Sequence, residues 1–327
     1  MNPRPDVSVV LVSFNTRNLL RECLLTVVDQ KDVTFDIYVV DNASRDGSAD
    51  MVRDEFPQVR LMPSAENLGF AGANNCAMRR AQGRHILLLN TDAFLRPGDL
   101  ATAVRKMDET PSAGLGGARL LGRDGSWQPS ARMFPSLLND ALSLTGLSAR
   151  LEHSRFFGRA DRTWANPLEP AQVDWVPGAF SIIRSEALQQ VGLFDERFFL
   201  YYEEVDLCHR LISAGWQVWY WPELVVVHIG GESSRQVRCL SMSSSGSQLT
   251  LWRMRSALLY YRKHHPSMAS LVMWFETAWH NLRAWRNSRR QGSDTLAKAE
   301  ESRNIVRLYQ RAWNETEGGR VCPARPW

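Results

Sequence analysis

Four apolar runs, each closed by polar or turn-forming residues, punctuate the first hundred positions of the chain. Val7-Ser8-Val9-Val10-Leu11-Val12 leads into Ser13-Phe14-Asn15-Thr16, and Phe35-Asp36-Ile37-Tyr38-Val39-Val40 into Asp41-Asn42-Ala43-Ser44. Val59-Arg60-Leu61-Met62 is shorter, and His85-Ile86-Leu87-Leu88-Leu89 closes on Asn90-Thr91-Asp92. Runs of this length, bounded by turn residues, predict strands, and the last reads as one buried on both faces. Between them the apolar positions take helical spacing: Leu19, Leu20, Cys23, Leu24 and Val27, then through Met51 and Phe56, then from Ala71 to Gln82. Repeated strand–helix–strand units imply a parallel sheet with right-handed crossovers.

Beyond Gly114 the pattern loosens. Gly122-Arg123-Asp124-Gly125 predicts a hairpin turn. Residues 136–170 mix short helical signals with Gly, Ser, Asn and Pro and are expected as a mobile excursion. Order returns at Trp175-Val176-Pro177-Gly178-Ala179-Phe180-Ser181-Ile182-Ile183, followed by a helix through Leu188 and Val191. A further helix starts near Tyr201 and runs to Ala214-Gly215, and the strand Leu224–Val227 closes on His228. From about 248 the pattern is helical, after a Ser241–Ser247 patch expected as a loop. The expected division is an α/β domain over 1–240 and a helical, basic region over 248–327.

With 327 residues, 44% hydrophobic and 23% charged, the chain has the length and composition of a large globular α/β domain with an appendage. No signal-type segment opens it, and no run of about 18 uncharged apolar residues predicts a membrane-spanning helix. Cys23, Cys76, Cys208, Cys239 and Cys322 are odd in number, scattered and without C-x-x-C spacing. That pattern leads us to expect a reduced, cytoplasmic protein without structural zinc.

The net charge of +4 conceals an asymmetry. From Thr250 onward there are 14 Lys and Arg against 6 Asp and Glu, a net +8, which leaves −4 for the residues before it. An acidic front and a basic, Trp-bearing tail point to two functional regions. In the tail Leu271, Phe275, Ala278, Trp279, Leu282 and Trp285 recur at helical spacing, with Arg283, Arg286, Arg289 and Arg290 clustered at the end. Such a helix fits the inner leaflet of a membrane. The same stripe would equally serve to pack on the α/β domain or on a second subunit. Binding to nucleic acid is rejected, because no recognisable module accompanies the basic and aromatic residues.

The chemistry-bearing residues sit at strand ends. Asp41 and Asp92 each follow a buried strand, at the edge where open α/β sheets bind ligands. A third acidic site is Tyr201-Tyr202-Glu203-Glu204-Val205-Asp206-Leu207-Cys208. On a helix Glu204 shares the inward face of Leu207, Cys208 and Leu211, while Glu203, Asp206 and Arg210 share another and can pair along it. The helix dipole favours acids in a first turn whatever their function. An inward Glu beside Phe198, Phe199, Tyr201 and Tyr202 is a stronger signal, since desolvation raises a carboxyl pKa towards that of a general base. At His228 the following Gly230-Gly231 lets backbone approach a ligand. An Asp and a neutral imidazole suit a divalent ion that keeps positions open for phosphate oxygens. No Walker-type or G-x-G-x-x-G loop is present.

Seven segments now stand in order: Val7–Thr16, Val39–Ser44, Asn67-Leu68-Gly69-Phe70-Ala71-Gly72-Ala73-Asn74-Asn75, Leu88–Ala93, Trp175–Ala179, Glu203–Leu207 and His228-Ile229-Gly230-Gly231-Glu232-Ser233. The set resembles the family-2 inverting glycosyltransferases of A-type fold, within them the rhamnosyltransferase-like branch, over roughly residues 5–240. The resemblance implies a mostly parallel, Rossmann-like sheet flanked by helices, with a C-terminal helical tail. It implies a nucleotide and donor site at Ser13, Asn15, Asp41, Asn67, Gly69, Asn90, Thr91 and Asp92, with Asp41 accepting from the imide of uracil or thymine. Asp92 and His228 would hold Mg²⁺ or Mn²⁺, with Asn90 in the place of the first Asp of a D-x-D motif. Glu204 occupies the position of the presumed catalytic base; the family has Glu-Asp where this chain has Glu-Glu, so Glu203 stays as the alternative. Asp206 reads as structural, and Trp175, Gly178 and Tyr202 as the sugar or acceptor pocket.

The implied activity is metal-dependent inverting transfer of a sugar, L-rhamnose from dTDP-L-rhamnose first, to a lipid-linked or polysaccharide acceptor in bacterial surface-glycan synthesis. Attachment to the cytoplasmic face of the inner membrane and an oligomer both remain open. A UDP-hexose donor is the nearest alternative. From other classes, a sugar-phosphate nucleotidyltransferase lacks support because Ser13-Phe14-Asn15-Thr16-Arg17-Asn18 has no glycine-rich basic loop, and an inactive binding module because Asp41, Asp92 and His228 all remain.

Overall fold

A computed structural model describes residues 4–230, 247–290 and 292–323. The strands are β1 (Val7–Ser13), β2 (Phe35–Asp41), β3 (Arg60–Pro63), β4 (His85–Leu89), β5 (Ala93–Phe94), β6 (Ala113–Leu121), β7 (Trp127–Gln128), β8 (Ala171–Val173), β9 (Phe180–Arg184) and β10 (Gln217–His228). The helices are α1 (Arg17–Val28), α2 (Ser48–Glu55), α3 (Gly69–Met78), α4 (Asp99–Glu109), α5 (Leu137–Leu144), α6 (Leu147–Arg150), α7 (Ser185–Val191) and α8 (Glu203–Ser213). Three longer ones follow: α9 (Ser247–His264), α10 (Met268–Ser288) and α11 (Ser293–Glu315).

The sheet runs β3-β2-β1-β4-β9-β6-β10-β5. β1 to β4 are parallel, as their run-and-helix alternation predicts, and β10 is parallel to β6. β9 lies antiparallel between β4 and β6. The reversal is what brings the loop before β9 to the C-terminal edge of β4, where the Asn90 amide donates to the Ala179 carbonyl at 3.1 Å. The parallel core strands alternate their side chains between two apolar layers. Val9, Ile37, Leu87 and Leu89 face one layer, and Val10, Tyr38, Ile86 and Leu88 the other. Burial on both faces is why these strands read as near-continuous apolar runs. The hairpin turn at Gly122–Gly125 joins β6 to β7, with Gly122 and Ser126 closing it. Residues 136–170 hold α5, α6 and a succession of turns.

The tail packs its own way. Half of the apolar stripe read from the sequence lies on the outside of α10: Leu271, Leu282 and Trp285 are 45%, 54% and 52% exposed, and Trp274 joins them at 68%, while Phe275, Ala278 and Trp279 are half-buried. The opposite face, with Ala269, Val272 and Ala284, is the buried one. Among the described residues no helix is long and apolar enough to cross a membrane.

Candidate functional site

The C-terminal ends of β1, β2, β4 and β10 deliver Ser13, Asp41, Asp92 and His228 to one edge of the sheet. Asp41 is 5% exposed, and its Oδ1 is buried without a partner while Oδ2 accepts from the Ser44 amide at 3.3 Å. A carboxylate oxygen left unpaired in a buried place fits a ligand N–H, since leaving it unsatisfied is costly.

Around it, the remaining polar residues of the predicted donor set bind one another. Asn15, at φ 54°, accepts from the Arg45 amide at 2.8 Å and ties the loop after β1 to the loop after β2. Ser13 Oγ is engaged by Thr16 Oγ1 at 3.1 Å. Asn67 Oδ1 accepts from Asn42 Nδ2 and from the Gly69 amide, both at 2.9 Å. Gly69 has φ +74°, and a Cβ there would meet the Phe199 carbonyl oxygen at 2.4 Å. Asn67 and Gly69 therefore hold the start of α3 against the segment that leads into Glu203, a positioning task within the protein.

Asp92 and His228 meet through β5, where Ala93 pairs with His228 and the Ile229 amide donates to the Asp92 carbonyl at 3.0 Å. Gln128, a residue the sequence reading passed over, orients the imidazole. Its Nε2 donates to the His228 carbonyl at 2.8 Å, so its amide oxygen faces His228 Nδ1, also at 2.8 Å. An amide oxygen only accepts, so this network puts the proton of the neutral ring on Nδ1. The lone pair on Nε2 then faces Asp92 Oδ1 at 3.5 Å. Two acceptors at that spacing fit a divalent cation between them, held in the way second-shell partners orient metal-binding histidines. Among the described residues no third His, Cys, Asp or Glu joins the pair. Such an ion would keep positions for phosphate oxygens and water, as Mg²⁺ commonly does. Asn90 reaches the same edge through its backbone, and Thr91 is buried beside Asp92. Gly231, Glu232 and Ser233 of the His228 segment, the Ser241–Gly246 stretch and Cys239 lie outside the described residues.

Glu203 and Glu204 open α8. The chain enters it through Tyr201 and Tyr202, both at φ 70°, a conformation bulky residues rarely adopt. Burial pushes both carboxyls up, and the Glu204 charge raises Glu203 further. Each keeps one buried oxygen without a partner. Of the two, Glu204 is the one the predicted pocket acts on: the Gly178 backbone amide and the Arg132 charge both favour its ionised form. Arg132 in turn sits over the Trp175 ring, 5.2 Å from its centre, and Trp175 Nε1 donates to the Met133 carbonyl at 2.9 Å. Trp175, Gly178 and Glu204 thus form one group, and Arg132 is a member that the spacing of the motifs did not reveal.

The face assigned to Glu203, Asp206 and Arg210 is corrected in part. Asp206 Oδ2 does pair with Arg210 Nε at 2.9 Å, but Glu203 does not join them. Asp206 is fully buried and turns instead to α9, with Lys263 Nζ and His264 Nε2 each 2.7 Å from its Oδ1. α9 covers this face of α8, so neither face is left to water. Burial raises the Asp206 pKa, yet His264, Arg210 and Lys263 more than offset it and hold the carboxyl below its ordinary value. Tyr202 packs against Tyr260 of α9, ring centres 5.5 Å apart. A surface groove of about 690 Å³ at the opposite edge of the sheet holds charges that are already paired, Arg84 with Asp6 and Asp108 at 2.8 and 2.9 Å.

Residues 8–190 match the family described as Glycosyl transferase family 2. The chain is 32% identical over 236 residues to an N-acetylglucosaminyl-diphospho-decaprenol L-rhamnosyltransferase of Mycobacterium tuberculosis, covering 67% of this chain and 75% of that protein. It is 26% identical over 204 residues to the Escherichia coli rhamnosyltransferase WbbL, covering 59% and 69%. Among solved structures, a mannosyltransferase of Pyrobaculum calidifontis in complex with GDP-Man and Mn²⁺ shares the fold, with a TM-score of 0.50 at 20% identity over 92% of this chain and 74% of that one.

Proposed function

The chain belongs to glycosyl transferase family 2, and from that membership and the sheet-edge geometry we propose a metal-dependent inverting transfer of L-rhamnose from dTDP-L-rhamnose to a lipid-linked glycan. The observation that carries the metal reading is the Nε2 lone pair of His228 facing Asp92 Oδ1. A divalent ion held there would supply Lewis-acid stabilisation to the departing diphosphate. The unpaired oxygen of Asp41 accepts from the imide N–H of the base, a group that thymine and uracil share. UDP-sugars therefore remain the rival donors. Glu204, poised by the Gly178 amide and pushed up by burial, accepts the proton of the acceptor hydroxyl as that oxygen attacks the anomeric carbon. The new C–O bond forms on the face opposite the diphosphate, whose bond to the sugar breaks with its electron pair going to phosphate.

The acceptor is taken to be lipid-linked on two grounds. One is the relative whose name specifies a diphospho-decaprenol acceptor. The other is the exposed Leu271, Trp274, Leu282 and Trp285 face of α10, which runs into exposed Arg286, Arg289 and Arg290. Apolar residues beside arginines suit an anionic leaflet, and the basic tail is a second region with this task, distinct from the catalytic unit. The protein would thus work at the cytoplasmic face of the inner membrane.

The test is dTDP release from dTDP-L-rhamnose with octyl-diphospho-N-acetylglucosamine as acceptor, with Mn²⁺ and with chelator, beside a panel of UDP-sugars. Transfer that needs Mn²⁺, is lost in Asp92→Asn and has a raised donor KM in Asp41→Ala supports the reading. Full turnover in chelator sinks the metal assignment. Preference for a UDP-sugar replaces the donor, and pyrophosphate made from a nucleoside triphosphate and a sugar phosphate replaces the reaction class.

A further inference from the structure

Where the three C-terminal helices meet the α/β unit they enclose a second cavity, of about 400 Å³, that the donor site does not use. It lies within the size range of small-molecule sites. Three phenol rings line it, Tyr202 from the start of α8, Tyr261 from α9 and Tyr309 from α11. Three carboxyls face the same space: Asp140 of α5, which accepts from Tyr261, Glu276 of α10, and Glu301 of α11, which pairs with Arg283. Arg253 of α9 also lines it; it is exposed and has no hydrogen-bond or ion-pair partner among the described residues, although its charge acts on Asp140 and Glu276. Rings beside hydrogen-bonding carboxyls are what a pyranose asks for, since a sugar offers an apolar C–H face and a rim of hydroxyls. A guanidinium without a partner among the described residues suits phosphate at the same wall.

Tyr202 connects this cavity to the chemistry. It is both a wall residue and the residue immediately before Glu203 and Glu204, held in a strained left-handed conformation. We propose that the cavity binds the phosphate-linked sugar head of the acceptor, with the ring against the tyrosines, its hydroxyls on Asp140 and Glu276, and its phosphate on Arg253. The proposal rests on the reading of the chain as a transferase with a lipid-linked glycan acceptor. Burial raises Asp140 to about 6 and Glu276 to about 7, so near neutrality Asp140 chiefly accepts while Glu276 can donate as well as accept, which matches hydroxyls. The tail helices then form half of the acceptor site.

The experiment compares wild type with Glu276→Gln and Arg253→Ala, using octyl-diphospho-N-acetylglucosamine as the probe. Probe binding is read by saturation-transfer NMR, and acceptor KM, donor KM and acceptor-independent donor hydrolysis by nucleotide release. We expect tenfold or greater loss of probe affinity and a matching rise in acceptor KM, with donor KM and hydrolysis within twofold of wild type. Among the described residues Arg253→Ala removes no hydrogen bond, so it reports even if Glu276→Gln does not fold. Unchanged probe affinity in Arg253→Ala, a donor KM that rises in step, or no probe binding by wild type overturns the proposal. Failure of wild type to turn over any donor while binding the probe in this cavity would instead overturn the transferase reading and leave the cavity assignment standing.

Discussion

Gln128→Leu isolates the element that makes Asp92 and His228 a cation site. The side chain contacts His228 at two points, each 2.8 Å, and neither contact involves Asp92. Leucine has similar bulk but no acceptor for Nδ1. The ring is then free to carry its proton on Nε2, which turns the facing pair into an ordinary hydrogen bond to Asp92 in place of a cation site. Loss of such an outer-shell partner typically weakens metal binding by roughly 10–100-fold, about 1.4–2.7 kcal/mol. Gln128→Glu retains an acceptor for Nδ1 and should stay within a few-fold of wild type. The assay is Mn²⁺ titration by calorimetry in the presence of dTDP, with the Mn²⁺ dependence of turnover alongside. Equal Mn²⁺ affinity in wild type and Gln128→Leu would refute the tautomer argument, and with it the reason for treating the 3.5 Å pair as a metal site.

Three further outcomes are expected. Asp206→Ala should lose roughly 3–5 kcal/mol of stability in urea unfolding, because it strips a fully buried carboxylate from Arg210, Lys263 and His264. Since its folded pKa is depressed, that contribution is present above the unfolded value of 3.8 and is lost as pH falls through the lower folded value; a loss under 1 kcal/mol at neutral pH would contradict the anchoring role. Glu204→Gln should bind donor normally and lose turnover, and the wild-type acid limb of kcat/KM should lie above the ordinary value of 4.5; if Glu203→Gln has that phenotype instead, the base is misassigned by one residue. Gly178→Ala places a Cβ no nearer than 3.4 Å to Phe70, so thermal stability should hold within a degree or two while turnover drops; unchanged kcat/KM would show that no substrate approaches that backbone.

Much of the donor edge was legible before any coordinates. β1, β2 and β4 announce themselves because strands buried on both faces must be apolar throughout, and a carboxylate that ends such a run stands out. Asp41, Asp92 and His228 therefore carried a visible signal. Gln128 and Arg132 carried none: a polar residue in a short strand gains its role only once the hairpin is placed beside β10 and Arg132 is placed over Trp175. The helical-face argument set Glu204 on the inward side, whereas Glu203 is the more deeply buried of the two at 3% exposed; Asp206 is buried and paired with Arg210, Lys263 and His264. It treated the second face of α8 as pairing along itself, because period 3.6 registers which residues share a face but not what a later helix lays against it.

Local pattern and motif order alone determined the α/β class, the family and the acids at the strand ends, since these depend on residues near in sequence or on a fixed order of short segments. Only the tertiary structure decided that Leu271, Leu282 and Trp285 of α10 face outward, that Gln128 dictates the His228 tautomer, and that the tail encloses a cavity against Tyr202. Each of those turns on contacts between segments far apart in the chain, whose pairing depends on how the helices cross and the strands align, and no spacing along the sequence encodes that directly.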